Sequence, residues 1–193
     1  MAYERALQSF QAEEYEASYI YLKNALQTNP KNLPAKLLMG QLLTRNGYYD
    51  EAKAEFRQAI KYKIDIHLVL VPLGNILMLN QQYQDVIDLG EGFTFNDDVN
   101  FEWKMLSAAA YNGLDKPEMA QAQYNLAIRL FKNNTPAINS SAFLDLNDNK
   151  LARAERQADK SLKLAPQDHK TWHLKGKIAE AKENLPESYA TPH

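Results

Sequence analysis

Residues 33–62 read LPAKLLMGQLLTRNGYYDEAKAEFRQAIKY, and this stretch decides the fold. Apolar residues recur at helical spacing from Leu33 to Arg45, and Asn46-Gly47 then interrupts the pattern. The pattern resumes from Tyr49 to Tyr62, where one face is formed by Ala52, Phe56, Ala59 and Ile60. The stretch therefore predicts two helices joined by a short turn.

The whole chain repeats with a period of 34 residues. Tyr15, Tyr49 and Tyr83 are separated by this interval, and three further columns hold almost only small residues. Those columns are Ala6, Gly40, Gly74, Ala108, Ala142 and Gly176; Ser18, Ala52, Val86, Ala120 and Ala154; and Ala25, Ala59, Phe93, Ala127 and Ser161. A sustained period of this length is typical of an array of small helical units.

The small columns have a physical reason in helix packing. A small residue in the middle of one helix lets a partner helix approach closely, and large residues such as Leu37, Leu43 and Phe56 fill the remaining space. Pro30 and Pro166 lie four periods apart, at points where one helix must end before the next begins. The repeating unit is therefore predicted to be a helix pair.

These residues resemble the tetratricopeptide repeat (TPR). The match is carried by Met39-Gly40, Gly47-Tyr48-Tyr49, Ala52, Phe56 and Ala59 in the second unit, and by Trp172 and Gly176 in the last. The resemblance implies an all-α fold, a right-handed superhelical solenoid of 34-residue helix-turn-helix repeats. We expect residues 1–184 to form about five repeats closed by a capping helix over Asp168–Asn184, and residues 185–193 to form a flexible tail.

Three positions depart from the repeat pattern. Gly90 stands where other units have a large residue, and Phe93 replaces a small one. Because Gly90 and Gly92 each lower helix stability by roughly 1 kcal/mol relative to Ala, we expect the second helix of the third unit to end early. Asp145 occupies a place where a large apolar residue is expected, so the fifth pair should pack least well.

A finer similarity links the chain to the TPR lipoproteins of the bacterial exosortase (PEP-CTERM) sorting system, which are associated with exopolysaccharide export. It rests on the segments Leu22–Pro30, Ala35–Leu42 and Ala52–Phe56. This resemblance implies a periplasmic lipoprotein of which the present sequence is an excised fragment, without its signal peptide. Without that resemblance, the expected compartment is the cytoplasm.

Composition argues against several kinds of site and partner. The 22 basic and 24 acidic residues leave no positive excess to attract nucleic acid or anionic lipid, and the lack of cysteine removes thiol chemistry. His169 and His173 are four residues apart, but Lys170 stands where a metalloprotease helix needs Glu. No apolar run approaches the roughly 18 residues that span a bilayer. We expect no enzyme activity, metal, cofactor, nucleic-acid partner or membrane insertion by this segment.

The first helix of each unit is expected to line the concave side of the array. The residues predicted to face a partner there are Leu37, Gln41, Thr44, Val71, Asn75, Met78, Met105, Ala109, Asn112 and Phe143, and the same face continues at Asn139, His173 and Lys177. Apolar side chains with amides between them suit a peptide, because amides both donate and accept hydrogen bonds. The competing role for any one of these residues is packing between neighbouring units.

The sequence thus predicts a non-catalytic scaffold that binds a protein or peptide in a concave groove, in exopolysaccharide export or protein sorting if the finer resemblance holds. Cochaperones of the TPR family clamp a C-terminal carboxylate with Lys and Asn on three successive first helices. Tyr3 and Leu7 occupy the corresponding places in the first unit, which disfavours that partner class. Two alternatives remain: self-association as a homo-oligomer, and a polysaccharide-binding surface formed by tyrosines.

Overall fold

The computed structural model describes residues 1–93 and 97–184. Within these residues all regular structure is helical, with eleven α-helices, one short 3-10 helix and no strand. The chain divides into two compact units, Met1–Phe93 and Thr94–His193. The predicted all-α class is confirmed, and the described helices follow one another along the chain as five pairs and a single last helix. The tail predicted at 185–193 lies outside the described residues.

Unit 1 contains three helix pairs. Its helices are α1 (Ala2–Gln11), α2 (Tyr15–Thr28), α3 (Leu33–Arg45), α4 (Tyr49–Lys61), α5 (Leu70–Leu79) and α6 (Tyr83–Leu89), and a 3-10 turn at Ile66–Leu68 precedes α5. The helix predicted from Leu33 to Arg45 is confirmed, and the next one ends one residue earlier than predicted. Each helix packs against the following one, as the 34-residue columns require.

Unit 2 contains two helix pairs and a final helix. The pairs are α7 (Asp97–Gly113) with α8 (Pro117–Leu130), and α9 (Thr135–Asn147) with α10 (Leu151–Leu164); α11 (His169–Glu183) follows. The predicted last helix is confirmed, with Asp168 and Asn184 as its two capping residues. None of the described helices has the length and apolar character needed to cross a membrane.

The small columns lie where helices touch. Every member of the column that includes Ala52 and Ala120 is buried, and in the other two small columns only Gly176 and Phe93 are exposed. In the first pair, Ser18 Oγ of α2 donates a hydrogen bond to the Ala6 carbonyl of α1 over 2.9 Å. Small side chains therefore bring the two helices of a pair into direct contact, as predicted.

The turns inside the helix pairs form a further 34-residue column that the sequence analysis did not identify. Glu13, Gly47, Gln81, Asp115 and Asn149 all have positive φ, between 56° and 81°. The amide after each of these residues reaches back to a carbonyl near the end of the preceding helix, as in the 2.8 Å bond from Gln82 N to Leu77 O. Gly47, Asp115 and Asn149 are residue types that adopt this conformation readily, whereas Glu13 and Gln81 are not.

Side-chain caps begin three of the first helices. The carboxamide oxygen of Asn32 accepts from Ala35 N, that of Asn134 accepts from Ala137 N, and the Asp168 carboxylate accepts from Lys170 N. These three capping residues occupy the same position of the 34-residue period. Each cap satisfies an amide that the first turn of a helix leaves without a partner.

The third pair has the shortened second helix that its glycines predict. Helix α6 has 7 residues and ends at Leu89, whereas α4 has 13. Gly90 is the C-terminal capping residue, and Gly92 has a φ of 79°. Phe93, the large member of a small column, has 48% of its surface exposed.

The fifth pair buries the carboxylate of Asp145. Helix α9 has 13 residues, as many as α3, so Asp145 does not shorten it. Asp145 is fully buried, with Arg153 Nε 3.1 Å from Oδ2 and the Gln157 amide donating to the same oxygen. Among the residues that the structure describes, its Oδ1 has no hydrogen-bond partner, and burial raises the pKa of the carboxyl above its ordinary value. Asp145 therefore places a buried polar group where a large apolar residue is expected, and the prediction that this pair packs least well stays a prediction.

Candidate functional site

None of the ten residues predicted to face a partner is fully buried. Gln41, Asn75, Asn112 and Phe143 are exposed, and the half-buried ones are Leu37, Thr44, Val71, Met78, Met105 and Ala109. The Thr44 hydroxyl donates to the Gly40 carbonyl in its own helix, and Met105 packs partly against the cluster that contains Ala108 and Leu144. These two side chains are thus engaged within the fold.

Unit 2 contains a groove of about 260 Å³ between its first helices. The groove, called the unit 2 groove below, is lined by Asn112 of α7, Tyr124 of α8, Asn139, Ser140, Phe143 and Leu144 of α9, and Lys170, His173, Leu174 and Lys177 of α11. It brings together Asn112 and Phe143 from the predicted set, whereas Met105 and Ala109 are not among its lining residues. Asn139, His173 and Lys177, expected on the same face, also line it.

The floor of the unit 2 groove is apolar. Leu144, Leu174 and Tyr124 are buried beneath it, and burial raises the pKa of the Tyr124 hydroxyl, which is hydrogen-bonded to Ser140. Phe143 differs from these residues because 42% of its surface stays exposed within the groove. A large aromatic ring left accessible above an apolar floor provides a contact surface for an apolar side chain of a ligand.

Asn139 holds one wall of the groove together. Its amide nitrogen donates to Asp168 Oδ2 over 3.0 Å and to Thr171 Oγ1 over 2.7 Å, joining α9 to the first turn of α11. The Thr171 hydroxyl also donates to Asp168, and these hydrogen bonds lower the pKa of the Asp168 carboxyl. Asn139 therefore acts as a structural residue of the site. The sequence predicted its amide to face a ligand, but the amide nitrogen is engaged in hydrogen bonds within the fold.

Three basic side chains line one side of the groove. Lys170, His173 and Lys177 follow one another at helical spacing along α11, so they share a face of that helix. Lys177 Nζ lies 5.6 Å from the centre of the Phe143 ring, within the range of a cation–π contact. Lys170 is the member that the sequence analysis missed, although its spacing from His173 and Lys177 would have indicated it.

Unit 1 has a second concavity, at the turn between α1 and α2 and at the end of α3. It has a volume of about 430 Å³ and includes Tyr15, Tyr19, Ile20 and Tyr48. Tyr15 packs between the ring of Phe10 and the guanidinium of Arg45. Tyr19, Tyr48 and the neighbouring Tyr49 are exposed, so this part of unit 1 presents several tyrosine rings at its surface.

Comparison with known proteins assigns the fold to the class of helical-repeat proteins. Residues 9–63 match the tetratricopeptide repeat family model. No curated protein matches the sequence. The part of the chain that the family model covers includes the second unit, where the Gly40, Gly47 and Phe56 signals lie.

Three solved structures identify the repeat type over most of the chain. YrrB, described as a TPR protein with an unusual peptide-binding site, is 17% identical, with a TM-score of 0.75 over 91% of this chain and 90% of that one. MamA from Desulfovibrio magneticus RS-1 is 17% identical, with a TM-score of 0.77 over 85% and 93%. PilF of Pseudomonas aeruginosa is 15% identical, with a TM-score of 0.70 over 99% and 91%. The chain therefore has the TPR solenoid fold.

Proposed function

We propose that this chain is a non-catalytic interaction scaffold and that the unit 2 groove binds a peptide segment of a protein partner. The observation that supports this most directly is Phe143, an exposed ring surrounded by polar and basic groups above a buried apolar floor. Such a surface can take an apolar side chain while its polar rim fixes a peptide backbone. Asn112 supplies an exposed amide at the opposite wall.

The comparisons support the same class of function. YrrB shares the fold and is described as having a peptide-binding site. In a solenoid of helix pairs, packing restricts the residues between helices but leaves the exposed residues of an extended surface free to vary. The exposed side chains therefore determine which partner is bound. In the unit 2 groove these exposed positions are Asn112, Phe143, Lys170, His173 and Lys177.

The test is selection from a display library of random 12-residue peptides on the immobilised chain. We expect enriched peptides whose binding falls at least tenfold for Phe143→Ala, because the exposed ring supplies the apolar contact. Met119→Ala is the matched control, since Met119 is an exposed apolar residue of α8 outside the lining of the groove. No enrichment, or enriched peptides that bind both variants as well as the wild-type chain, would overturn the proposal.

Two other functions would give different results. If the chain is an oligomerisation module, light scattering at micromolar concentration would show a homo-oligomer, and Phe143→Ala would dissociate it. A polysaccharide-binding surface is supported by the exposed rings of Tyr19, Tyr48 and Tyr49, which can stack on sugars. Titration with the exopolysaccharide of the native host would then show binding that Tyr48→Ala weakens and Phe143→Ala leaves unchanged.

The narrower role, in bacterial exopolysaccharide export or protein sorting, rests on the segments Leu22–Pro30, Ala35–Leu42 and Ala52–Phe56. The proposal includes this role together with the periplasmic compartment that it implies. Deletion of the gene in the native host, followed by measurement of secreted polysaccharide and of sorted surface proteins, tests it. Normal levels of secreted polysaccharide and of sorted surface proteins would exclude the role in export or sorting. They would not contradict the scaffold function.

A further inference from the structure

The lysines of α11 fall into two sets with different surroundings. Lys175 is paired with Asp159, and Lys182 with Glu155, so both of these side chains are neutralised by carboxylates of α10. Lys170 and Lys177 line the unit 2 groove instead, and among the described residues neither forms an ion pair. The helix therefore has one face whose charges are satisfied within the fold and one whose charges are open to a ligand.

The carboxylates near the groove do not cancel this charge. Asp168 accepts hydrogen bonds from Thr171, Asn139 and the backbone of α11, which commits it to the start of that helix. Glu180, one turn beyond Lys177, is exposed and lies outside the groove lining. His173 lies between the two lysines along α11, and its imidazole ring also lines the groove. The groove is thus a locally basic surface on a chain whose formal net charge is −2.

We infer that the occupant of the unit 2 groove is an acidic peptide segment, held by the side-chain carboxylates of two residues with an apolar residue between them. This inference rests on the proposed peptide-binding function and names its ligand class. One carboxylate pairs with Lys170 and the other with Lys177, and the apolar side chain packs on Phe143. Charge-assisted hydrogen bonds are stronger than neutral ones, so they dominate the choice of ligand.

The spacing of the lysines limits the spacing of the acids. Lys170 and Lys177 are seven positions apart, which corresponds to roughly 10 Å along the helix. Acidic residues three apart in a polyproline II segment are separated by about 9 Å and point in the same direction. The favoured peptide pattern therefore has Glu or Asp at its first and fourth positions. One of the two residues between them is apolar. Because internal side chains supply both carboxylates, a free C-terminus is not required.

The peptides selected from the 12-residue library provide the test. We expect an excess of acidic pairs with this spacing, and equal affinity when a peptide's C-terminus is amidated. Lys170→Gln and Lys177→Gln should each weaken binding roughly tenfold, and raising the salt concentration should weaken binding of the wild-type chain. Lys175→Gln and Lys182→Gln are matched controls on the same helix and should bind like the wild-type chain.

The outcomes separate this inference from the proposed function. The acidic ligand would be overturned if peptides whose binding depends on Phe143 showed no acidic excess, or bound Lys170→Gln and Lys177→Gln as tightly as the wild-type chain. The groove would then still be a peptide-binding site. If Lys175→Gln and Lys182→Gln weakened binding as much as the groove variants, the net charge of the chain would explain the effect. That result would also overturn the acidic ligand. Failure to enrich any peptide would overturn both. Thermal melts of all four variants show whether each is folded.

Discussion

The ring of Phe56 occupies the space that a side chain at residue 40 would need. A Cβ atom added to Gly40 would lie 2.5 Å from Phe56 Cε1 and 2.8 Å from Phe56 Cζ. Phe56 is fully buried, so its ring has no solvent space into which it could turn. The close approach of α3 and α4 therefore depends on glycine at this position.

Substitution of Gly40 by Ala should destabilise the protein. Ala is the better helix former by about 1 kcal/mol, but the added methyl group overpacks the contact with Phe56 at a cost of about 1 to 3 kcal/mol. The matched control is Gly176→Ala, because nothing lies within 4 Å of the Cβ position there. Urea unfolding followed by circular dichroism should show a loss for Gly40→Ala and a gain for Gly176→Ala; shifts in the same direction would contradict the packing role.

A second prediction concerns the left-handed turns. Gln81 has a φ of 57°, a conformation that costs a residue with a side chain roughly 1 kcal/mol or more. Gln81→Gly should therefore raise the free energy of unfolding by about 0.5 to 1 kcal/mol. Asn149→Gly, at the equivalent turn, should change it less, because Asn tolerates this conformation. The same denaturation experiment compares the two, and a larger gain at residue 149 would count against the explanation.

The helix pairs could be predicted from the sequence because their signals repeat. Small residues at positions such as Ala52 and Ala120 recur every 34 residues and must be small wherever two helices touch. The turn column could not be recognised in the same way. Backbone geometry at Glu13 or Gln81 is imposed by the two helices that the turn joins, and the residue type at these positions does not disclose it.

The candidate site was predictable only in part. The expectation that the first helix of each unit faces a partner selected Asn112 of α7 and Phe143 of α9, and both line one groove. Helical spacing places Lys175 off the face that Lys170 and Lys177 share, but it could not show that Asp159 of the preceding helix neutralises the charge of Lys175. That ion pair is a contact between two helices, so finding it required the three-dimensional structure.

A third prediction concerns local stability in unit 1. Helix α6 has 7 residues, and a short helix has few internal hydrogen bonds to protect its amides. Amide hydrogen exchange followed by mass spectrometry should therefore be faster over Tyr83–Leu89 than over Tyr49–Lys61. Gly90→Ala should slow exchange in α6, since Gly90 ends the helix. Equal protection of α4 and α6 would show that packing, and not helix length, sets their stability.

The last prediction uses two carboxyl groups of unit 2 whose pKa values move in opposite directions. Burial raises the pKa of Asp145, so the folded protein holds this proton more tightly than the unfolded chain. Its contribution to stability is greatest below the ordinary Asp pKa of about 4 and falls as pH rises through the folded value. Hydrogen bonds led by Thr171 lower the pKa of Asp168, so its contribution is present above that ordinary value and is lost as pH falls.

Asp145→Asn and Asp168→Asn should therefore change the pH dependence of stability with opposite signs. Relative to the wild-type chain, Asp145→Asn should gain stability as pH rises from about 4 towards neutrality, because the variant has no buried carboxylate to ionise. Asp168→Asn should be the less stable chain at neutral pH, and the difference should shrink on acidification below about pH 4. Urea midpoints measured from pH 3 to 7 give both differences. A stability difference between Asp145→Asn and the wild-type chain that stayed constant from pH 3 to 7 would contradict this prediction. It would mean that Arg153 and Gln157 compensate fully for burying the charge of Asp145.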